Sequence, residues 1–231
     1  MEIHPGPDWV SLYEELASHT GTALIMGMTD AGKSTLVRYL IKRFIAEGMH
    51  ISLVDSDIGQ SSLGLPGTVS MKVFLDEKDF VEFRYERMSF LGTVNPAMSI
   101  SGIIHSTEVM TCHCRKKTDI ILVDTTGLVT GNIGRALKTG KIKAVNPEYV
   151  IAVQKKDELE HILFPGDDQR IIRIKSSPAA KARSRAARFR YRDRKLADYF
   201  SGPVISEFAL HMNEVDFIYH GKPFSPGAAI P

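Results

Sequence analysis

Cysteine is nearly absent. The chain has two, Cys112 and Cys114, one on either side of His113. A structural zinc site needs about four Cys or His ligands, and no second Cys/His cluster follows, so a metal framework is excluded. So little cysteine suits a reducing compartment and excludes a disulfide scaffold. Long apolar runs are also missing, and none approaches the roughly 20 residues of a membrane span. The first residues, "MEIHPGPDWVSLYEEL", carry acids and lack the apolar stretch of a secretory leader. A soluble, cytoplasmic location is expected, or a nuclear one in a nucleated cell. There is a single tryptophan, Trp9, no internal repeat and no low-complexity tract. Overall charge is nearly balanced, at +2. A general polycation is therefore excluded as well.

What is present suits one globular domain with a sizeable core. The chain has 231 residues, 43% of them hydrophobic and 24% charged. Its charge is uneven. Residues 171–200 hold ten lysines and arginines against Asp193 and Asp198. A basic patch of this kind calls for an anionic partner.

Short apolar runs alternate with amphipathic stretches. Buried strands are expected at 22–27, 50–57, 119–127, 148–154 and 169–175. Helices are expected at 33–48, 97–117, 131–145 and 156–164. Segments 68–75 and 80–92 alternate like strands and predict a hairpin turning at "DEKD". The basic segment predicts a helix with Ser176, Ser177 and Pro178 at its start. Two more strands are expected at 202–210 and 213–221, and the Gly/Pro-rich end, 221–231, reads as loop. Such alternation predicts an α/β fold, a mainly parallel sheet with helices on both faces.

The strongest motif is "GMTDAGKS", Gly27 to Ser34. It matches G-x-x-x-x-G-K-[ST] and lies between an expected strand and an expected helix, which predicts a P-loop NTPase. Gly27, Thr29, Asp30, Ala31 and Gly32 would turn backbone N–H groups onto a nucleotide's phosphates at a helix N-terminus. Lys33 would reach the β- and γ-phosphates, the Ser34 hydroxyl would ligate Mg²⁺, and Thr35 would add support. A carboxylate must complete that site. Asp124 ends the run "IILV", and Asp55 and Asp57 end the second strand; in a parallel sheet all three reach the same edge. Either set can hold a metal-bound water or accept a proton.

The motifs "GMTDAGKST", "DSDIGQSSLGLPGTVS", "FLGTVNP", "DTTGLVTG" and "RSRAARFRYRDRKLADYF" follow one another in that order. In this the chain resembles the ATP-dependent polynucleotide 5′-hydroxyl kinases. That family includes the kinase subunit of the pre-mRNA cleavage complex, the ribosomal RNA processing kinase and archaeal relatives. The resemblance runs from about Thr22 to Phe200. It implies transfer of the ATP γ-phosphate to the 5′-hydroxyl end of RNA or DNA, with Mg²⁺. It makes Asp57 the base toward the 5′-hydroxyl and a candidate metal ligand beside Ser34 and Asp124. Gln60 would order the metal or phosphate shell. Arg183, Arg188 and Arg192 match lid arginines, with Arg183 and Arg188 on the phosphates and Arg192 clamping nucleotide or substrate. Thr126, Gly127 and Leu128 match the substrate-binding element, in which the family has tryptophan where this chain has Leu128. Base–aromatic stacking is worth about 1–3 kcal/mol.

The resemblance also implies one kinase domain over 1–231, with a lid at about 176–200. Residues 205–231 would begin a C-terminal extension, so a further domain or a protein partner is expected. Two other readings stand beside this one: an NTPase switch acting on a protein partner, and a kinase of a small-molecule alcohol or nucleoside. "VQKKD" (153–157) nearly matches a guanine-reading N-K-x-D loop, which favours the switch.

Overall fold

The computed structural model describes residues 5, 7–163, 169–176, 182–201, 218–219 and 222–223. One compact unit runs from Met1 to Ala197 and a second from Asp198 to Pro231.

The first unit is built on a seven-stranded sheet. Its strands are β1 (Gly21–Gly27), β2 (Ile51–Ser56), β3 (Thr68–Phe74), β4 (Arg87–Phe90), β5 (Ile120–Thr125), β6 (Tyr149–Gln154) and β7 (Arg170–Lys175). They lie in the order β4-β3-β2-β5-β1-β6-β7. The pairs β2–β5, β5–β1, β1–β6 and β6–β7 are parallel, whereas β3 and β4 run antiparallel at one edge. The expected mainly parallel α/β sheet is what the chain forms.

Helices cover both faces. Helices α1 (Pro7–Ser18) and α2 (Lys33–Ala46) pack on one face, α4 (Ile100–Cys114) and α5 (Gly131–Val145) on the other. Successive strand residues divide between the two cores. Ala23, Ile25, Leu53 and Leu122 join Trp9, Leu36, Leu40 and Phe44, while Leu24, Met26, Val54 and Val123 join Ile103, Met110 and Leu137. That division explains why the central strands read as unbroken apolar runs: each is buried on both sides. Cys114 lies in the second core and Cys112 is exposed. Among the described residues no helix is long and apolar enough to cross a membrane.

The structure corrects three expectations. Residues 80–92 are not one strand. Glu77–Glu82 form a short helix, α3, and only Arg87–Phe90 pair as β4. The expected turn "DEKD" is the helix start, because the Asp76 side chain accepts the N–H groups of Lys78 and Asp79. Glu77 and Asp79 add favourable negative charge in the first turn. The helix expected at 156–164 is a series of turns as far as residue 163, and residue 164 lies outside the described residues. There Glu158 accepts the N–H groups of Lys155 and Lys156, and Gln154 Oε1 accepts that of Leu159. Side-chain acceptors so placed compete with helical bonding. The basic helix, α6, starts at Arg185 and ends at Phe200, with Ser184 Oγ accepting the N–H of Ala187. Ser176 instead donates to the Ala31 carbonyl, and 177–181 lie outside the described residues. Helix α1 adds to the expected set.

In the second unit, Ile218–Tyr219 (β8) pairs antiparallel with Lys222–Pro223 (β9). The strand expected at 202–210 lies outside the described residues, as does most of 213–221.

Candidate phosphoryl-transfer site

β1, β2 and β5 end side by side, and the residues singled out in the sequence gather at that edge. The loop after β1 takes a conformation few residues tolerate. Gly32, the N-cap of α2, has φ 97°, in the left-handed region where a side chain would be strained. Asp30 is also left-handed, at φ 59°. This turn directs the first N–H groups of α2 back toward the loop and forms an anion nest. Lys33 is 6% exposed, and its Nζ donates to the Met28 carbonyl at 3.0 Å. Ala31 is buried, while Thr35 lies exposed on the first turn.

Ser34 Oγ donates to Asp124 Oδ2 at 2.6 Å, joining the nest to the end of β5. Asp124 is buried, and its Oδ1 has no hydrogen-bond partner among the described residues. Burial, then the neighbouring Asp55 carboxylate, pushes its carboxyl up to about 7. A cation beside Ser34 would supply the missing partner and favour the ionised form.

The two aspartates ending β2 have different tasks. Asp55 is fully buried. Its Oδ2 accepts Ser61 Oγ, Ser62 N, Ser62 Oγ and Leu63 N, and its Oδ1 accepts Asp57 N. It organises the loop and is already saturated with donors. Burial is the main influence raising its carboxyl. Asp57 is half-buried; its Oδ1 accepts Gly59 N and Gln60 N, and its Oδ2 bonds to none of the described residues. No group of three or more His, Cys, Asp or Glu among the described residues is placed to hold a metal by itself. A cation here would therefore take its remaining oxygens from phosphate and water, as magnesium commonly does.

The loop after β5 touches the nest. A Cβ on Gly127 would collide with the backbone of Thr29, so only glycine fits there. Thr126 Oγ1 accepts the N–H of Leu128, whose side chain packs against the second core.

Helix α6 closes over this edge. Arg188 Nη2 donates to Asp30 Oδ2 at 2.6 Å, and the same oxygen accepts the backbone N–H of Arg183 at 2.9 Å. Arg183 Nε lies 3.5 Å from Asp30 Oδ1. Burial alone would raise the Asp30 carboxyl, but the Arg183 N–H and the Arg188 and Arg183 guanidiniums outweigh it and hold it below its usual range. On the other side, Tyr191 Oη donates to the Ser61 carbonyl, Lys195 Nζ to those of Ser62 and Gly64, and Gln60 Nε2 to that of Arg188. The helix thus spans the nest and the Asp57 loop. Arg192 makes no ion pair among the described residues. Arg188 Nε and Gln60 Oε1 are buried and have no partner among the described residues, like Asp124 Oδ1. Three orphaned polar atoms at one edge mark a place that a polar ligand would complete.

Arg183 stands before α6 rather than on it, because the helix starts at Arg185 and not at the expected residues 176–178. In the "VQKKD" segment Gln154 stands where a guanine-reading N-K-x-D loop has asparagine. The Gln154 amide already donates to Glu160 and accepts from Leu159 N. Sequence reasoning missed Asp30 as the partner of the arginines, since pairing across 158 positions leaves no local signal. It also missed Lys138 and Lys141, two buried lysines of α5.

A family model described as the P-loop of mRNA cleavage and polyadenylation factor CLP1 matches residues 27–202. The polyribonucleotide 5′-hydroxyl-kinase of Methanocaldococcus jannaschii is 34% identical over 79% of this chain and 51% of its own length. That of Pyrococcus furiosus is 32% identical over 81% of this chain and 52% of its own. The polyribonucleotide 5′-hydroxyl-kinase Clp1 of Danio rerio is 26% identical over 90% of this chain and 51% of its own. The chain thus spans about half the length of the curated relatives it matches. Among solved structures, the wild-type Clp1p–Pcf11p complex superposes with a TM-score of 0.70 at 12% identity, covering 87% of this chain and 55% of that one; it shares the fold. With the match running from the last residue of β1 to beyond the end of α6, the chain belongs to the CLP1 P-loop family.

Proposed function

We propose that this chain transfers the γ-phosphoryl group of ATP to the 5′-hydroxyl end of a polynucleotide. The observation that carries this reading is the convergence on one sheet edge of the Ser34–Asp124 pair, the Asp57 carboxylate and Arg188 held against the nest by Asp30. The names of the archaeal and Clp1 relatives agree with it.

The nest and Lys33 bind the triphosphate. Ser34 and Asp124, with Asp57 within reach, would hold Mg²⁺, which when bound neutralises charge on the β- and γ-phosphates. Asp57 accepts the proton of the 5′-hydroxyl as its oxygen bonds to the γ-phosphorus. The bond from that phosphorus to the β–γ bridging oxygen breaks, and ADP leaves with the electron pair. The transition state spreads negative charge over the γ-oxygens, where Arg188 and Arg183 stabilise it. Positioning of this kind supplies most of the rate in phosphoryl transfer.

Leu128 offers no aromatic face, so the substrate strand is gripped mainly through its phosphates. Arg190, Arg192 and Arg194 on α6 are the cations for this, and such binding weakens as salt rises. A protein partner is also expected, since the solved Clp1p relative is bound to Pcf11p.

The test mixes protein, Mg²⁺ and γ-labelled ATP with 5′-hydroxyl RNA and DNA oligonucleotides, with 5′-phosphorylated oligonucleotides as blanks and Lys33→Ala as control. Label on 5′-hydroxyl ends, lost in the variant, supports the reading. ATP hydrolysis without labelling would turn it toward a nucleotide switch.

A further inference from the structure

Lys138 and Lys141 lie one turn apart on α5 and are both 0% exposed. Among the described residues neither is hydrogen-bonded to a carboxylate. Lys138 Nζ donates to Thr125 Oγ1 at 2.6 Å and to the Thr126 carbonyl at 2.5 Å. Lys141 Nζ donates to Ser56 Oγ at 2.6 Å and to the Ser56 carbonyl at 3.3 Å. The hydroxyls pass the connection on. Ser56 Oγ donates to the Asp124 carbonyl, and Thr125 Oγ1 to that of Ile25, both at 2.7 Å. Two buried amines thus tie together the ends of β1, β2 and β5.

Burying an amine is costly, and a methionine would fill the same space without that cost. Burial is the main reason both are less basic than a free lysine, and the nearby Asp57 and Asp124 carboxylates offset part of that effect. What the pair holds is specific. Ser56 immediately precedes Asp57, and Thr126 immediately precedes Gly127 and Leu128. α5 can reach under these loops because it packs closely: a Cβ on Gly134 would lie 2.6 Å from the Val129 carbonyl carbon.

We infer that Lys138 and Lys141 are positioning residues for phosphoryl transfer: Lys141 fixes the strand end that aims Asp57, and Lys138 fixes the Thr126–Leu128 loop that meets the substrate. This rests on the transferase reading above. Both lysines act through their contacts with the Thr125 and Ser56 hydroxyls and with the Thr126 and Ser56 carbonyls. Misplacing a reacting group by about 1 Å costs roughly a hundredfold in rate.

The test is steady-state transfer to a 5′-hydroxyl oligonucleotide by wild type, Lys141→Met, Lys138→Met and Ser56→Ala, with thermal melting of each. Lys141→Met should lower kcat about 30- to 100-fold while KM for ATP stays within about threefold. Lys138→Met should raise KM for the oligonucleotide at least fivefold more than KM for ATP. A folded Lys141→Met with kcat within twofold of wild type overturns the inference. So does an equal change of every parameter in both variants, since that would reflect stability alone. Should the methionine variants not fold, Ser56→Ala decides: a fall in kcat at unchanged ATP KM supports the inference, and an unchanged kcat overturns it. A wild type that labels no 5′ end overturns the transferase reading itself, which the wild-type lane alone reveals.

Discussion

Replacing Asp30 with asparagine asks whether the lid arginines are held over the phosphate nest before any nucleotide arrives. The shape is kept and the charge removed. Asp30 Oδ2 accepts from Arg188 Nη2 and from the Arg183 N–H, with the Arg183 guanidinium close by. Hydrogen bonds to a charged group contribute about 1.5–3 kcal/mol, against about 0.5–1.5 for neutral pairs. The side chains of Asp30 and Arg188 are 10% and 30% exposed, so part of the difference is screened. A net loss of about 1–1.5 kcal/mol remains, close to a tenfold fall in the docked-lid population. Single-turnover transfer should therefore slow about three- to tenfold, with a smaller gap at high salt. A double-mutant cycle with Arg188→Gln should give a coupling of about 1 kcal/mol. Strictly additive effects of the two substitutions would refute the pairing. The depressed Asp30 carboxyl sets the pH window. The pair is intact above the usual carboxylate range of about 4 and is lost as pH falls through the lower folded value.

Other substitutions probe the remaining parts. Lys33→Ala should cut transfer at least a hundredfold without lowering the melting temperature, as measured by the labelling assay and a thermal scan. Asp57→Asn should abolish transfer while nucleotide binding, followed by calorimetry, persists; near-normal turnover would remove Asp57 from the role of base. Gly127→Ala forces a Cβ onto the Thr29 backbone and should destabilise the protein by about 1–3 kcal/mol, read as a lower denaturation midpoint. Lys141 has a folded value of about 7, below the usual lysine range. Above pH 7 the unfolded chain therefore binds more protons at this site, so stability should rise with pH from about 7 to 10, and Lys141→Met should flatten that slope in melting curves.

Much of this molecule follows from local sequence. The P-loop motif was legible because an anion nest demands fixed residue types at fixed spacing, such as Gly32 for a left-handed φ. The buried strands were legible because a parallel sheet covered on both faces leaves no polar side to interrupt "TALIMG" or "IILVD". Local competition defeated the pattern elsewhere. Asp76 caps a helix in a segment that alternates like a strand, and Glu158 and Gln154 hold turns in a segment with helical composition. The parts that sequence left open depend on strand order. Only when β1 and β5 pair does Asp124 come to Ser34, and only when β2 and β5 pair does Asp55 come to lie beside Asp124. The Asp30 anchor for Arg188 and the two lysines under the sheet edge arise from contacts between distant segments. No local periodicity encodes them; the tertiary structure alone brings them together, because side chains far apart in the chain meet only after the sheet has set its order.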